Sequence, residues 1–384
     1  MKRLYSIILI VSVMFTVFPV EANFAYAEEF KVNAQGAILI DAESGQVLFE
    51  QNADEPWYPA SITKVMTLAL ALEAVEKGKV KLTDIIRPSE NACSYGGSQV
   101  WLDPRDEFTL EQMLIAIAVG SANDASVAVA EFIGGTEENF VKMMNDKAKE
   151  LGAQNTNFVN SHGLHDDNHY TTPADMAKIA RYAISFPKLL ELTSIKHYTF
   201  REKPKELILH NTNKLLWRYP GTDGIKTGTT SQALRNLVST VQKDNLRLIA
   251  VVMGVDQSGG HFSESIKLYN WGFATFKYEQ LYDKGQVVTS TKVSKGKQQV
   301  VPLVATKKIG SVMKKDNEES KIEPLIKVPS YIAAPVKKGD KVGLVEVWLE
   351  GKLINTIDLV AGDTVEKATF FDMLEKTFKN VFCY

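Results

Sequence analysis

The stretch "SITKVMTLALALEAVEKG", residues 61–78, is apolar on nearly every side from Ile62 to Leu72 and stops at Gly78. A helix with that pattern has no face to offer to water, so the rest of the chain has to wrap around it. The chain has the means: 384 residues, 45% hydrophobic and 23% charged, is enough material for two ordinary globular domains. Two polar residues open this buried helix, Ser61 and Lys64, three apart and therefore on one face. The same Ser-x-x-Lys spacing recurs at Ser185/Lys188, Ser294/Lys297 and Ser311/Lys314, so spacing alone settles nothing. Pro187 spoils the helical geometry of the first of these, and the other two fall in strand-like sequence.

Upstream, "AQGAILIDAESGQVLFEQNA" places two apolar runs around Glu43-Ser44-Gly45 and reads as a β-hairpin. Downstream, Thr109 and Gln112 form a candidate capping box for "LEQMLIAIAVG". That helix breaks at Ser121-Ala122-Asn123 and resumes as "DASVAVAEFIGG", where Asn123 is a candidate N-cap. Further helical periods cover about 137–151 and 173–185, and residues 222–255 read as three successive strands. A hairpin, a helical block and adjacent strands predict an α/β fold: an antiparallel sheet with packed helices and no βαβ repeats.

From residue 284 to 362 the pattern alternates between glycine-containing turns, which predicts a small all-β domain. Within it, "TKKIGSVMKKDNEESK" reads as solvated strand and loop. Residues 363–384 turn helical again, with Phe371, Leu374, Phe378 and Val381 on one stripe and Phe370, Met373 and Phe382 broadening it. Two placements stay open, in a membrane interface or docked on the β domain, because Lys367, Lys376 and Lys379 barely offset the acids around them.

At the other end, Lys2 and Arg3 precede an apolar run from Ile7 to Val20, and Ala25-Tyr26-Ala27 fits a cleavage site. Residues 1–27 therefore read as a secretory signal peptide, leaving a first domain over 28–283. A net charge of −2 gives no reason to expect a nucleic-acid partner. Cys93 and Cys383 are the only cysteines, so export does not imply a disulfide scaffold.

Three short motifs carry chemistry together. A serine becomes a nucleophile when a base takes its proton, and a lysine serves as that base when burial or a neighbouring cation keeps it neutral. Lys226-Thr227-Gly228, the only Lys-Thr-Gly here, supplies such a cation on a strand able to align a peptide, with Gly228 allowing close approach. Ser121 and Asn123 occupy the interruption between two apolar helices, where polar groups face a cleft or find partners locally.

With these residues the sequence resembles the serine D-alanyl-D-alanine carboxypeptidases, the low-molecular-mass penicillin-binding proteins, and in particular those of Gram-positive spore-formers. "PASITKVMT", "SANDASVAVAEFIGG" and "DGIKTGTTSQALRNLVST" look like the three active-site blocks, and "APVKKGDKVGLVEVWLEGKLINTIDLVA" like the accessory β domain. The resemblance implies an acyl-enzyme on Ser61, Lys64 as general base and Ser121 as proton relay. It implies that Asn123, Lys226, Thr227, Gly228 and Thr229 bind substrate, with the oxyanion between the N–H groups of Ser61 and Thr229. The implied reaction removes the terminal D-alanine of peptidoglycan stem pentapeptides, without metal or organic cofactor, and β-lactams are the implied covalent inhibitors. The terminal helix is then expected at the outer face of the cytoplasmic membrane.

Two positions depart from the family. His261 stands where an arginine associated with the substrate carboxylate is common, and Leu234 stands near a usual glycine. A class A β-lactamase is disfavoured because no Leu-Asn dipeptide occurs anywhere. A zinc peptidase would draw on "SHGLHDDNH", with His162, His165, Asp166, Asp167 and His169, but a matching downstream ligand is not evident. A third class, a penicillin-binding sensor or wall-binding module, is separated from an enzyme by turnover of a D-Ala-D-Ala peptide.

Overall fold

The computed structural model describes residues 30–316 and 321–374. The expected leader (1–27), Cys383 and the helical stripe beyond Leu374 lie outside the described residues.

The chain opens with the expected hairpin, β1 (Gly36–Asp41) and β2 (Val47–Gln51). A 3-10 turn, Ala60–Thr63, then leads into α1 (Lys64–Glu76). The helical block contains β3 (Ile85–Ile86), α2 (Glu90–Ser94), β4 (Phe108–Thr109), α3 (Leu110–Gly120) and α4 (Asn123–Gly134). It continues with α5 (Glu137–Glu150), α6 (Pro173–Ala183) and α7 (Pro187–Thr193). A ribbon of β5 (His197–Arg201) and β6 (Leu207–His210), then the single turn α8 (Leu215–Arg218), lead into β7 (Thr222–Thr230). After β7 come β8 (Leu234–Lys243), β9 (Leu246–Val255) and α9 (Gly260–Thr275).

The sheet runs β2-β1-β9-β8-β7, antiparallel throughout, so β7 is an edge strand with backbone groups free to meet a ligand. Alternation along β1 sorts its two faces. Ile38 and Ile40 join the core under the helical block, while Leu39 faces α9. There Gly272 permits contact that a side chain would block, since a Cβ would stand 2.7 Å from Leu39. As its composition demands, α1 is buried from Lys64 through Leu72. It ends at Gly78, whose φ of +67° suits a residue without a Cβ. The Thr109/Gln112 capping box forms in both directions, at 2.8 and 3.2 Å.

The second region is all β: β10 (Phe276–Tyr282), β11 (Val287–Ser294), β12 (Val300–Ala305), β13 (Ile309–Lys314), β14 (Ile322–Lys327), β15 (Tyr331–Ala333), β16 (Lys341–Leu349) and β17 (Lys352–Ala361). Six of these form one sheet, β14-β16-β17-β12-β11-β15, around Val301, Leu303, Val345, Val347 and Leu359. The remaining pair, β10 and β13, forms a separate antiparallel ribbon. The expectation that residues 306–321 are solvated strand and loop fails for β13, whose Ile309, Ser311 and Val312 are fully buried. The flanking lysines mask a short apolar run, and two of them fasten the ribbon. Lys315 donates through its backbone to Thr275 and through Nζ to Phe273, while Lys308 Nζ reaches Asn245 O.

Candidate active site

Ser61 sits in the turn that opens α1, and its backbone is held from three sides. Gly228 on β7 lies so close that a Cβ there would stand 2.7 Å from Pro59 O and 3.0 Å from Ser61 N. On the next strand, Asn236 donates through Nδ2 to Tyr58 O and Pro59 O, at 2.8 and 2.9 Å, and accepts from Gly254 N. From the helical side, His169 accepts from Val159 N through Nδ1, so its Nε2 carries the proton and donates to Thr63 Oγ1 at 2.7 Å. Thr63 in turn donates to Ala60 O. Ala60 itself adopts φ +49°, a strained conformation for a residue with a Cβ, immediately before Ser61.

Lys64 is fully buried, and its Nζ meets three oxygens: Ser61 Oγ at 3.0 Å, Asn123 Oδ1 at 2.7 Å and His162 O at 2.5 Å. Burial first, and the charge of Lys226 second, push Lys64 well below the ordinary lysine value, against an opposing pull from Asp124. The amide and carbonyl oxygens only accept hydrogen bonds, so a neutral Lys64 spends its two protons on them. Its lone pair then points at the Ser61 hydroxyl.

The break between α3 and α4 explains the second motif. Ser121 is the residue that ends α3, at φ +60°, and is 5% exposed. The expected cap at Asn123 is not formed: Ala122 occupies the N-cap, and the Asn123 side chain bridges Lys64 and Gly96 O instead. Asp124, unnoticed in the sequence, accepts from the N–H groups of Val100 and Leu102 and so fixes the loop beside Asn123.

On β7, Lys226 is buried and donates only to Thr227 O among the described residues; burial lowers it to about 7. Thr227 Oγ1 bonds Thr212 Oγ1 at 2.7 Å, and Thr229 follows Gly228 toward the strand's exposed end. His261, in the first turn of α9, is 7% exposed and stacks on Phe262. Burial, then Arg235 and Arg218, lower it to about 4, so the ring is neutral. Leu234, the second departure, adopts φ +56°, the left-handed region where a glycine is at home.

The histidines of "SHGLHDDNH" turn to separate tasks. His162 supplies its carbonyl to Lys64, His169 holds Thr63, and His165 packs edge-on against Tyr58. Among the described residues no three His, Cys, Asp or Glu side chains converge on a metal-sized site. Gly163 between them passes so near Ala60 O that a Cβ would overlap it, at 1.9 Å.

Residues 22–257 match the family of D-alanyl-D-alanine carboxypeptidases. The chain belongs to that family. Residues 276–367 match the C-terminal domain of penicillin-binding protein 5. Among curated relatives, D-alanyl-D-alanine carboxypeptidase DacF of Bacillus subtilis is 39% identical over 98% of both chains. Penicillin-binding protein 5 of Haemophilus influenzae superposes with a TM-score of 0.70 at 34% identity, over 88% of this chain and 99% of its own. Penicillin-binding protein D2 of Listeria monocytogenes, solved in its ampicillin-bound form, is 30% identical with a TM-score of 0.57, over 64% of this chain and 99% of its own. Around Ser61 the structure thus gathers Lys64 and Asn123 through hydrogen bonds and Lys226 through its charge on Lys64, while Ser121 ends α3 two residues before Asn123. Asn236 and Asp124 are the supports that sequence reasoning missed, whereas His162 and His169, which stand in the sequence as part of a candidate metal cluster, serve here as supports.

Proposed function

We propose that this D-alanyl-D-alanine carboxypeptidase removes the terminal D-alanine of peptidoglycan stem pentapeptides through an acyl-enzyme on Ser61. The observation that carries the assignment is the Lys64 amine, fully buried, pushed well below the ordinary lysine value by that burial, and 3.0 Å from Ser61 Oγ.

Neutral Lys64 takes the Ser61 proton as Oγ attacks the penultimate carbonyl carbon. The resulting oxyanion is held by the N–H groups of Ser61 and Thr229, a pair of donors whose individual loss costs about 10²–10³ in rate. The C–N bond then breaks, and the proton returns from Lys64 through Ser121 to the departing amine of D-alanine. Water next gives its proton to Lys64 and attacks the ester, and breaking the acyl C–O bond restores Ser61. Lys226 keeps Lys64 neutral and, with Thr227, faces the substrate's carboxylate end. Gly228 gives the peptide room beside β7, and Asn123 holds both Lys64 and the substrate amide.

The enzyme acts on peptidoglycan, outside the cytoplasm. The reading further divides the chain into a leader (1–27), a peptidase domain (28–283), an all-β domain (284–362) and a terminal segment (363–384), whose helix opens at Phe370 rather than at residue 363 and rests on the outer face of the membrane. Phe370 and Phe371, at the start of that helix, are strongly exposed, which supports an interfacial role. No described helix is long and apolar enough to cross a membrane.

Mass spectrometry of the mature protein after benzylpenicillin treatment tests the site. One adduct, on Ser61, is expected; an adduct elsewhere, or none, overturns the assignment.

A further inference from the structure

The end of the five-stranded sheet farthest from Ser61 borders a cavity that the proposed reaction does not use. Asn236 holds the Ser61 turn near one end of β8, and Gln242 lines the cavity near the other. At a rise of about 3.4 Å per residue the two lie about 20 Å apart. The cavity encloses about 1110 Å³. That is just above the range of about 300–1,000 Å³ usual for small-molecule sites. Its walls are the β1–β2 turn, α6, and the turns that follow β10 and β12 in the all-β region.

The charge of this lining is lopsided: six cations against two acids, Glu43 and Asp283, in a chain whose net charge is −2. Two of the cations are neutralised from behind. Asp175 meets Lys178 at 2.9 Å, and Asp223 takes both Nη atoms of Arg247 at 2.7 and 2.8 Å. Arg181, Lys284, Lys307 and Lys308 meet no carboxylate within 4.0 Å among the described residues. Main-chain carbonyls alone hold Arg181, whose Nε donates to Ala42 O and Nη2 to Glu43 O. Gly45 leaves the remaining nitrogen uncovered, since a Cβ there would stand 3.1 Å from Nη1. On the β side, Lys308 Nζ donates to Asn245 O at 2.7 Å and lies over the Tyr278 ring, while Lys284 and Lys307 are exposed. Cations gathered without counter-charge repel one another, and an anion between them removes that cost. Three of the four are lysines, compact point charges that suit phosphate, whereas planar carboxylate recognition favours arginine forks.

We propose that this cavity binds an anion carrying several phosphates, held between Arg181 on α6 and Lys284, Lys307 and Lys308 on the β region. Cations spread over a helix and two turns call for more than one phosphate. The occupant lies at the far end of the sheet, so it tethers the enzyme to phosphate-bearing material and leaves Ser61 open. The inference goes beyond the proposed reaction and does not depend on it.

Isothermal titration of the mature protein with tripolyphosphate and with a synthetic glycerol phosphate hexamer tests the site, one ligand compact and the other an extended chain. At least one should bind with a Kd of about 10–100 μM at low salt and weaken as salt screens the charges, the tighter of the two identifying the form. A glutamate hexamer, charged but without phosphate, should bind at least roughly tenfold more weakly. Lys284→Gln/Lys307→Gln should weaken phosphate binding about tenfold. Lys321→Gln/Lys352→Gln removes the same charge beside Leu349, at the opposite end of β17 from Leu359, the partner of Ala305, and should leave binding unchanged. Acylation of Ser61 by benzylpenicillin should proceed at the wild-type rate in both variants. The site is overturned by any of three results: no binding of either phosphate ligand at about 1 mM, equal binding of the glutamate hexamer, or equal effects of the two lysine pairs. None of these bears on the carboxypeptidase reading, which fails instead if penicillin leaves Ser61 unmodified.

Discussion

Gly228 and Ser61 touch backbone to backbone, leaving no room for a methyl group: a Cβ on Gly228 would meet Ser61 N at 3.0 Å and Ile62 N at 2.9 Å. Both neighbours are main-chain atoms in the turn that carries Ser61, so they cannot swing aside as a side-chain tip would. Gly228→Ala is therefore expected to push β7 away from Ser61 and widen the gap between the N–H groups of Ser61 and Thr229, the proposed oxyanion donors. A displacement approaching 1 Å costs about 10²-fold in rate. Stopped-flow acylation by a fluorescent penicillin reads the loss, and a melting curve close to wild type separates it from unfolding. Acylation at the wild-type rate would contradict the packing argument.

Lys226 shows a conflict between function and stability. Burial lowers it from 10.5 to about 7. Between those values the unfolded chain holds a proton that the folded chain does not, so stability rises with pH across that window. Below about 7 the penalty for burying the amine is constant, and above 10.5 it vanishes. Lys226→Met is thus expected to stabilise the fold at pH 7 by about 4 kcal/mol, with the gain shrinking as pH rises toward 10. Acylation should be lost, because Lys64 also loses a neighbour that keeps it neutral. Denaturant melts of both proteins at pH 7 and pH 9.5 check the sign; a difference that grows with pH would refute it.

The sequence makes much of this site legible because its residues are rare in their settings: a lysine inside an apolar helix, a Ser-x-Asn in a helix break, a single Lys-Thr-Gly on a strand. The periodicities that place α1, the β1–β2 hairpin and β7 to β9 are local, and the structure follows them. What escapes is whatever works through the backbone or across long separations. Asn236 lies 177 residues from Pro59, and nothing in "LRNLVST" announces that its amide clamps the turn leading to Ser61. His162 matters through its carbonyl, which any residue would provide. Asn123 looks like a cap because asparagines often are, and only the fold reveals Lys64 as the stronger claim on its oxygen. In β13 the surrounding lysines outweigh a run of buried residues too short to stand out.

Leu234 tests whether a departure from the family carries a cost. At φ +56° a side chain crowds its own backbone, by about 1–2 kcal/mol for an L-residue in this region. At an ordinary strand position glycine is less stable than alanine by about 0.5–1 kcal/mol. Here the order should reverse, with Leu234→Gly more stable than Leu234→Ala by about 1 kcal/mol. Comparing the two small residues removes the packing of the leucine from the account. Urea melts of the pair decide it, and the ordinary order would mean that the strand relaxes around position 234.

The proposed membrane-facing segment begins where the β domain releases the chain. Val336 and Val365 exchange hydrogen bonds at 2.8 and 2.9 Å, Lys297 N donates to Glu366 O, and Ala368 N donates to Lys295 O. Residues 365–368 are thus stitched to the β domain, and Val365 and Ala368 are buried. Beyond them Thr369 and Asp372 cap a new helix through reciprocal bonds at 2.8 and 3.2 Å, and Phe370 and Phe371 stand exposed. The change of role falls between Ala368 and Thr369. A chain ending at Ala368 should leave the membrane fraction while keeping full carboxypeptidase activity and its melting temperature. A chain ending at Gly362 should leave the membrane as well but melt several degrees lower, because it forfeits those bonds and the burial of Val365. Fractionation and thermal melts of the two truncations separate anchoring from folding. Continued sedimentation of the longer truncation with membranes would place the anchor elsewhere in the chain.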